Sequence, residues 1–160
     1  MSEWKKLKNT DMECFACGPE NKHGLQMTFY SDGKQIKSNI IIPSHLRGWA
    51  SLVHGGIIST ILDETMSWAA IHFLNKFILT QSMEIEFLKP VYIEEQVSSV
   101  AWIEEKISSR KAWLKAEILN KNNEVCARSK GKFVLFTPEK FKKMNIVPPD
   151  LLEEMEGMFE

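Results

Sequence analysis

The sequence predicts an α+β domain in which one long buried helix is wrapped by an antiparallel sheet of five or six strands. Two observations carry this. Residues 57–74 are a nearly continuous apolar run with no proline, long enough for about five helical turns. Beyond Asn75 the chain divides into four β-rich stretches, each closed by a cluster of turn-forming residues, and such short connections join antiparallel neighbours.

With 160 residues, the chain has room for one domain with a real core, so a single domain over residues 1–160 is expected, with an arm at 1–24 and an extension at 138–160. Hydrophobic residues at 44% and charged residues at 26% exclude a disordered or fibrous chain. Twenty basic against 21 acidic residues leave a net charge of -1, which gives no whole-molecule attraction to nucleic acid or to an anionic membrane. Neither is expected as a partner. The opening MSEWKKLKNTDMECF has no apolar stretch fit for a signal-peptide core. Three cysteines, an odd number, fit free thiols in a reducing cytoplasm.

Taken in order, residues 1–24 are dense in turn formers, with Cys14-Phe-Ala-Cys-Gly-Pro, Asn21 and His23-Gly24, and predict an arm with little regular structure. Residues 25–30 and 35–42 flank Ser31-Asp-Gly33 and predict a hairpin, stopped by Pro43. The helix starts at Gly55-Gly56. It is apolar on most sides, and such a helix belongs at the centre of a fold. Asp63, Glu64 and His72 within it exclude a membrane span.

The four strands are expected at 79–88, 96–106, 112–119 and 125–136. They are separated by Lys89-Pro90, Ser108-Ser109-Arg110 and the polar loop 120–124. In the third strand Ala112, Leu114, Ala116 and Ile118 share one face, which predicts burial there, with the small residues admitting a bulky helix close to the sheet. After Pro138 the tail carries a double proline and an amphipathic piece at 150–158, with Asp150 as its expected N-cap. That piece is expected to dock on the surface or fray.

On a wheel of about 100° per residue, Gly56, Ser59, Thr60, Ser67 and Ala70 fall within about 60° of Asp63. The apolar helix therefore has one small, polar stripe. No Lys or Arg occurs between Arg47 and Lys76, so the carboxylate has no local cation, and a buried carboxylate without one is expensive. It is either satisfied by hydroxyl or backbone donors at a helix-to-sheet seam or it is catalytic. Glu64, about 100° around the helix, is expected to face another element or a partner subunit. His54-Gly55-Gly56 brings unpaired amides and the positive end of the helix dipole to one place. Glycine there lets the backbone approach a substrate closely, and such amides stabilise an oxyanion.

The segment His54-Gly-Gly-Ile-Ile-Ser-Thr-Ile-Leu-Asp63-Glu-Thr-Met, with Ser82-Met-Glu-Ile-Glu-Phe-Leu-Lys-Pro90-Val, resembles the hot-dog acyl-CoA thioesterases related to the phenylacetate-pathway enzyme. The likeness spans residues 14–137. It implies thioester hydrolysis, with Asp63 as general base or nucleophile and the Gly55 amide polarising the carbonyl. It also implies an acyl-CoA substrate and a homodimer or homotetramer whose sites form between subunits. Ser67 and Thr80 resemble positions that hold water or substrate from the facing subunit. Where many members carry Asn or Gln six residues before the histidine, this sequence has Gly48, followed by Trp49. Cys14-Phe-Ala-Cys-Gly with Asn21 and Gly24-Leu25 resembles a bacterial subgroup of the same family.

The expected site is thus catalytic Asp63, Gly55 and His54 and substrate-binding Gly56, Ser67 and Thr80, with no metal and no cofactor. Cys14-x-x-Cys17 could open a zinc site with His23 or Cys126. A closed structural site shows a second tight ligand pair, which is lacking here, so the segment is read as a packed or exposed turn. A redox role is disfavoured because Gly18-Pro19 replaces the helix start expected after a redox CxxC. Thioesterase is the leading function, followed by a non-catalytic acyl-CoA binding or regulatory module, and then by a hot-dog dehydratase.

Overall fold

A computed structural model describes residues 3–159. The outermost residues of the expected arm and tail, Met1, Ser2 and Glu160, lie outside the described residues. The chain runs through β1 (Lys5–Lys6), β2 (Tyr30–Ser31), β3 (Ile36–Ile41), α1 (Gly55–Leu74), β4 (Phe77–Phe87), β5 (Gln96–Lys106), β6 (Lys111–Leu119), β7 (Val125–Phe136), α2 (Pro138–Lys143) and α3 (Pro149–Glu156). Single 3₁₀ turns sit at Ser44–Leu46 and Gly157–Phe159.

The strands form one antiparallel sheet of seven in the order β1-β2-β3-β5-β6-β7-β4, wrapped on α1 as a hot-dog fold. The expected five or six strands thus become seven, because β1 and β2 are two-residue pairings that extend the edge. The hairpin strand expected at 25–30 shrinks to β2, while Leu25, Met27 and Phe29 pack into the core as irregular chain.

One neighbour relation departs from the expectation that short connections join neighbouring strands. β4 does not pair with β5, which follows it; it pairs along its length with β7, from Phe77↔Phe136 to Phe87↔Ala127. The connection instead bridges back to the segment before the helix, at Leu52↔Tyr92. β4 is thereby left as an edge strand.

α1 packs against β3, β4, β5, β6 and β7. Ala101, Ala112, Ala116 and Ala127 are fully buried and allow Ile61, Leu62 and Met66 to approach the strands. On β6 the burial alternates without a break, as the sequence predicted. At Gly131 an added Cβ would stand 3.0 Å from Met66 Cε and 2.8 Å from Phe133 Cε2. Thr65, fully buried, shares a 2.8 Å hydrogen bond with Ser99 Oγ on β5, which fixes the helix against the sheet at one rotation.

The N-terminal arm covers another side of α1. Although irregular, it is not loose, for Ala16 and Cys17 are buried, and just beyond the arm Phe29 stacks on Trp68 at 4.9 Å. The C-terminal extension docks through Phe77, Phe141 and Leu152, with Phe77 and Phe141 stacked at 4.8 Å. Asp150 is not the cap of α3. Pro148 holds that position with no side-chain bond, and Asp150 falls in the first turn, because the proline pair itself sets the extended-to-helical change.

Candidate active site

α1 begins at a single histidine. His54 is extended (φ -61°, ψ 135°) and caps the helix, its Nδ1 accepting the Gly56 N–H at 2.9 Å. That ties the Gly56 amide to the protein's own imidazole. The Gly55 amide is the first of the helix, has no intrahelical carbonyl to donate to, and meets no acceptor among the described residues. Gly55 and Gly56 are both exposed. Ser59 and Thr60 turn their hydroxyls back onto the Gly55 and Gly56 carbonyls, at 2.8 and 2.9 Å.

Asp63 lies two turns further on, partly buried. Thr80 Oγ1 donates to its Oδ1 at 2.7 Å. This contact is made within one chain and depends on an irregularity in β4. The register against β7 slips between Thr80 and Ser82, so Gln81 is an extra residue. Met83 and Ile85 pack on the core; in an unbroken strand Thr80, of opposite parity, would point away from them. The bulge resets the alternation and aims the hydroxyl at the helix. Burial raises the Asp63 carboxyl above its ordinary value, and the Thr80 bond partly opposes this. No ion pair reaches Asp63 among the described residues. A carboxylate whose proton affinity is raised is a stronger base, which is the direction that general-base chemistry calls for.

The structure brings His54, Gly55 and Gly56 together, and separately brings Asp63 to Thr80. It does not bring the two groups to one point on one chain, because eight residues of helix separate Gly55 from Asp63 by about 12 Å. Ser67, one turn beyond Asp63, is 8% exposed. A mostly apolar cleft of about 340 Å³ opens between Leu52, Val53, Ile58, Phe87 and Val91, with Gly55 in its lining. Gly48 sits under the same turn, where an added Cβ would come within 3.2 Å of His54 Cα.

A second group of reactive side chains is centred on Glu64, the next residue after Asp63, about 100° further around the helix. Glu64 meets the arm: its Oε1 lies 3.1 Å from Trp68 Nε1 and 3.8 Å from Cys14 Sγ. Burial pushes the Glu64 carboxyl up to about 7. A hydrogen bond from the Cys17 thiol lowers Cys14 to about 6, and the same contact, with burial, pushes Cys17 up. Neither His23 nor Cys126, the ligands weighed from sequence, joins this group.

Residues 50–127 match the family model described as the thioesterase superfamily. An uncharacterized protein of Schizosaccharomyces pombe is 29% identical over 114 residues, 66% of this chain and 65% of that protein, so the alignment spans just under two thirds of the relative. A solved thioesterase superfamily protein superposes with TM-score 0.70 at 19% identity, covering 77% of this chain and 60% of its own. The Escherichia coli PaaI protein from the phenylacetic acid degradation operon gives TM-score 0.64 at 17% identity, over 70% of this chain and 80% of its own. A Streptococcus mutans protein bound to acetyl CoA gives 0.61 at 12% identity, over 65% and 82%. Among the described residues no helix is long and apolar enough to cross a membrane.

Proposed function

The chain is a hot-dog domain of the thioesterase superfamily across residues 50–127, and from that premise we propose that it is an acyl-CoA thioesterase, releasing a free acid and the CoA thiol. The observation that carries the reading is the Asp63 carboxylate, raised in proton affinity by burial and gripped by Thr80, with no ion pair among the described residues. In the hydrolytic route Asp63 takes a proton from water, and the resulting hydroxide adds to the thioester carbonyl. The oxyanion accepts from the Gly55 amide. Collapse breaks the C–S bond, and the departing thiolate takes the proton back from Asp63. Direct attack by the carboxylate, through an anhydride, uses the same two groups.

The helix geometry also bears on assembly. Gly55 and Asp63 stand about 12 Å apart along the axis of one helix, which favours a site that takes its amide from one copy and its carboxylate from another. We therefore read the chain as a homo-oligomer, dimer at least. β4 supports this: it is an 11-residue edge strand with Thr80 exposed on it, and Leu79 and Phe87 are 39% and 57% exposed. An open edge of that length invites pairing with its own copy. The apolar cleft beside Gly55 suits an acyl chain or pantetheine arm, and the acetyl CoA held by the Streptococcus mutans neighbour supports a CoA ester. The three free thiols fit a reducing cytoplasm.

Gly48 favours one competing reading, an acyl-CoA binder without turnover, because the resemblance implies Asn or Gln at that place in many members, and here an added Cβ would come within 3.2 Å of His54 Cα. A panel of short, medium, long and aryl acyl-CoA esters, assayed by thiol release with Asp63→Asn beside the wild type, separates the two. Hydrolysis lost in the variant supports the enzyme. No hydrolysis of any ester by an intact oligomer that still binds acyl-CoA establishes the binder.

A further inference from the structure

Cys14, Cys17 and Glu64 stand apart from the hydrolytic groups, and we propose that they hold a thiophilic divalent cation of the zinc class, pinning the N-terminal arm to the central helix. Each offers one ligand atom, and the three atoms lie within 4.8 Å of one another. Cys14 Sγ and Glu64 Oε1 are 3.8 Å apart. In a tetrahedral zinc site with Zn–S of about 2.3 Å and Zn–O of about 2.0 Å, the S···S and S···O edges are about 3.8 and 3.5 Å. The side chains therefore stand close to ligand spacing before any ion is added.

The turn that presents the sulfurs is tightly built. Cys17 N–H donates to Cys14 Sγ at 3.5 Å and Gly18 N–H to the Cys14 carbonyl at 2.8 Å. A Cβ at Gly18 would fall 2.4 Å from Cys14 N, so no side chain fits there. Asn9 Nδ2 holds the Cys17 carbonyl at 2.8 Å. From the other side comes Glu64, an acid turned toward two thiols, with no ion pair among the described residues. Two sulfurs and one oxygen select zinc-class ions over magnesium or calcium, which take oxygen sets.

Three protein ligands leave a fourth position. Cys17 and Trp68 line a cavity of about 390 Å³ from which water completes the tetrahedron, and Lys6 and Lys8 line the same cavity. With two thiolates and a carboxylate around a dication the site carries one net negative charge, opposite in sign to the two lysines that line the cavity. The proposal stands independently of the hydrolase reading.

The test uses the full chain, reduced and stripped with a chelator, then titrated with Co²⁺ and competed with Zn²⁺. The expected result is one equivalent per chain, with a thiolate-to-cobalt charge-transfer band that Zn²⁺ abolishes. Cys14→Ser and Cys17→Ser each lose the band, and Glu64→Gln weakens Zn²⁺ binding at least about tenfold. A titration with no saturable band, a band that survives either serine variant, or Zn²⁺ affinity unchanged in Glu64→Gln overturns the assignment. Alkylation of the unaltered protein, read by mass spectrometry, needs no variant to fold. Zn²⁺ must slow labelling of Cys14 and Cys17 and leave Cys126 unaffected; equal rates with and without Zn²⁺ overturn it as well.

Discussion

Thr80 Oγ1 donates to Asp63 Oδ1 across 2.7 Å, joining the sheet's outermost long strand to the acid on its central helix. The bond lowers a proton affinity that burial raises. Thr80→Val removes the donor and keeps the shape, so the Asp63 carboxyl rises further. If Asp63 acts as a base, the acidic limb of the kcat/KM profile moves to higher pH, while Thr80→Ser leaves it in place. A limb that stays put in the valine variant removes Thr80 from this role.

Asp63→Asn is expected to cost about 10²–10⁴-fold in thiol release while raising stability at neutral pH. The sign follows from linkage. Folding raises the Asp63 pKa above its unfolded value, so the folded chain binds that proton more tightly. The resulting stability is complete below the unfolded pKa and is lost as pH rises through the folded one. Asparagine escapes that loss. Urea midpoints at acid and neutral pH check it, and a variant less stable than wild type at neutral pH contradicts it.

The proposed sharing of the site between copies makes a quantitative prediction. Gly55→Pro deletes the amide yet is tolerated at a first helical position. His54 before it is already extended, and a Cβ at Gly55 meets Phe87 only at 3.7 Å. Gly55→Pro and Asp63→Asn should each be inactive alone. Unfolded together in equal amounts and refolded, half the dimers are mixed and one of their two sites is whole, so about a quarter of wild-type activity returns. Zero recovery from verified mixed dimers would place the amide and the acid of each site on the same chain.

Thr65 and Ser99 allow a cycle in the core. Both are fully buried and bonded at 2.8 Å. Thr65→Val strands the Ser99 hydroxyl and should cost about 1–3 kcal/mol. Adding Ser99→Ala removes the stranded group and should recover part of that loss. Additive losses in urea unfolding would show that the pair is not coupled.

Much of this was legible in the sequence because it is written in local periodicity. The alternation in β6 and the unbroken apolar run of α1 each announce which side is buried. What escaped depends on distance or on single residues. β1 and β2 are two-residue pairings with no period to detect. α2 buries only Phe141, too little for a helical pattern. The bulge at Gln81 leaves no mark in the residue types, yet it aims Thr80. Glu64 meets Cys14 across a separation of 50 residues, so ligand spacing along the chain could not pair them. His54, Gly55 and Asp63 were singled out because their spacing follows one helix and matches a family motif, and the division of the site between copies that we propose was already implied by that resemblance, with the helix length in ångströms as its physical support.

The pairing of β4 with β7 also sets a timetable. On the ribosome β4 emerges about forty residues ahead of the strand that must lie beside it, with α1 already made and its apolar faces uncovered. Until Val125 and the residues after it appear, β4 lacks the one strand it pairs with in the sheet, and the nascent chain presents both of its edges to whatever is nearby. A chain cut short within the 120–124 loop would keep the helix and lose its closure, so such fragments should be captured by chaperones or aggregate while the full-length product folds.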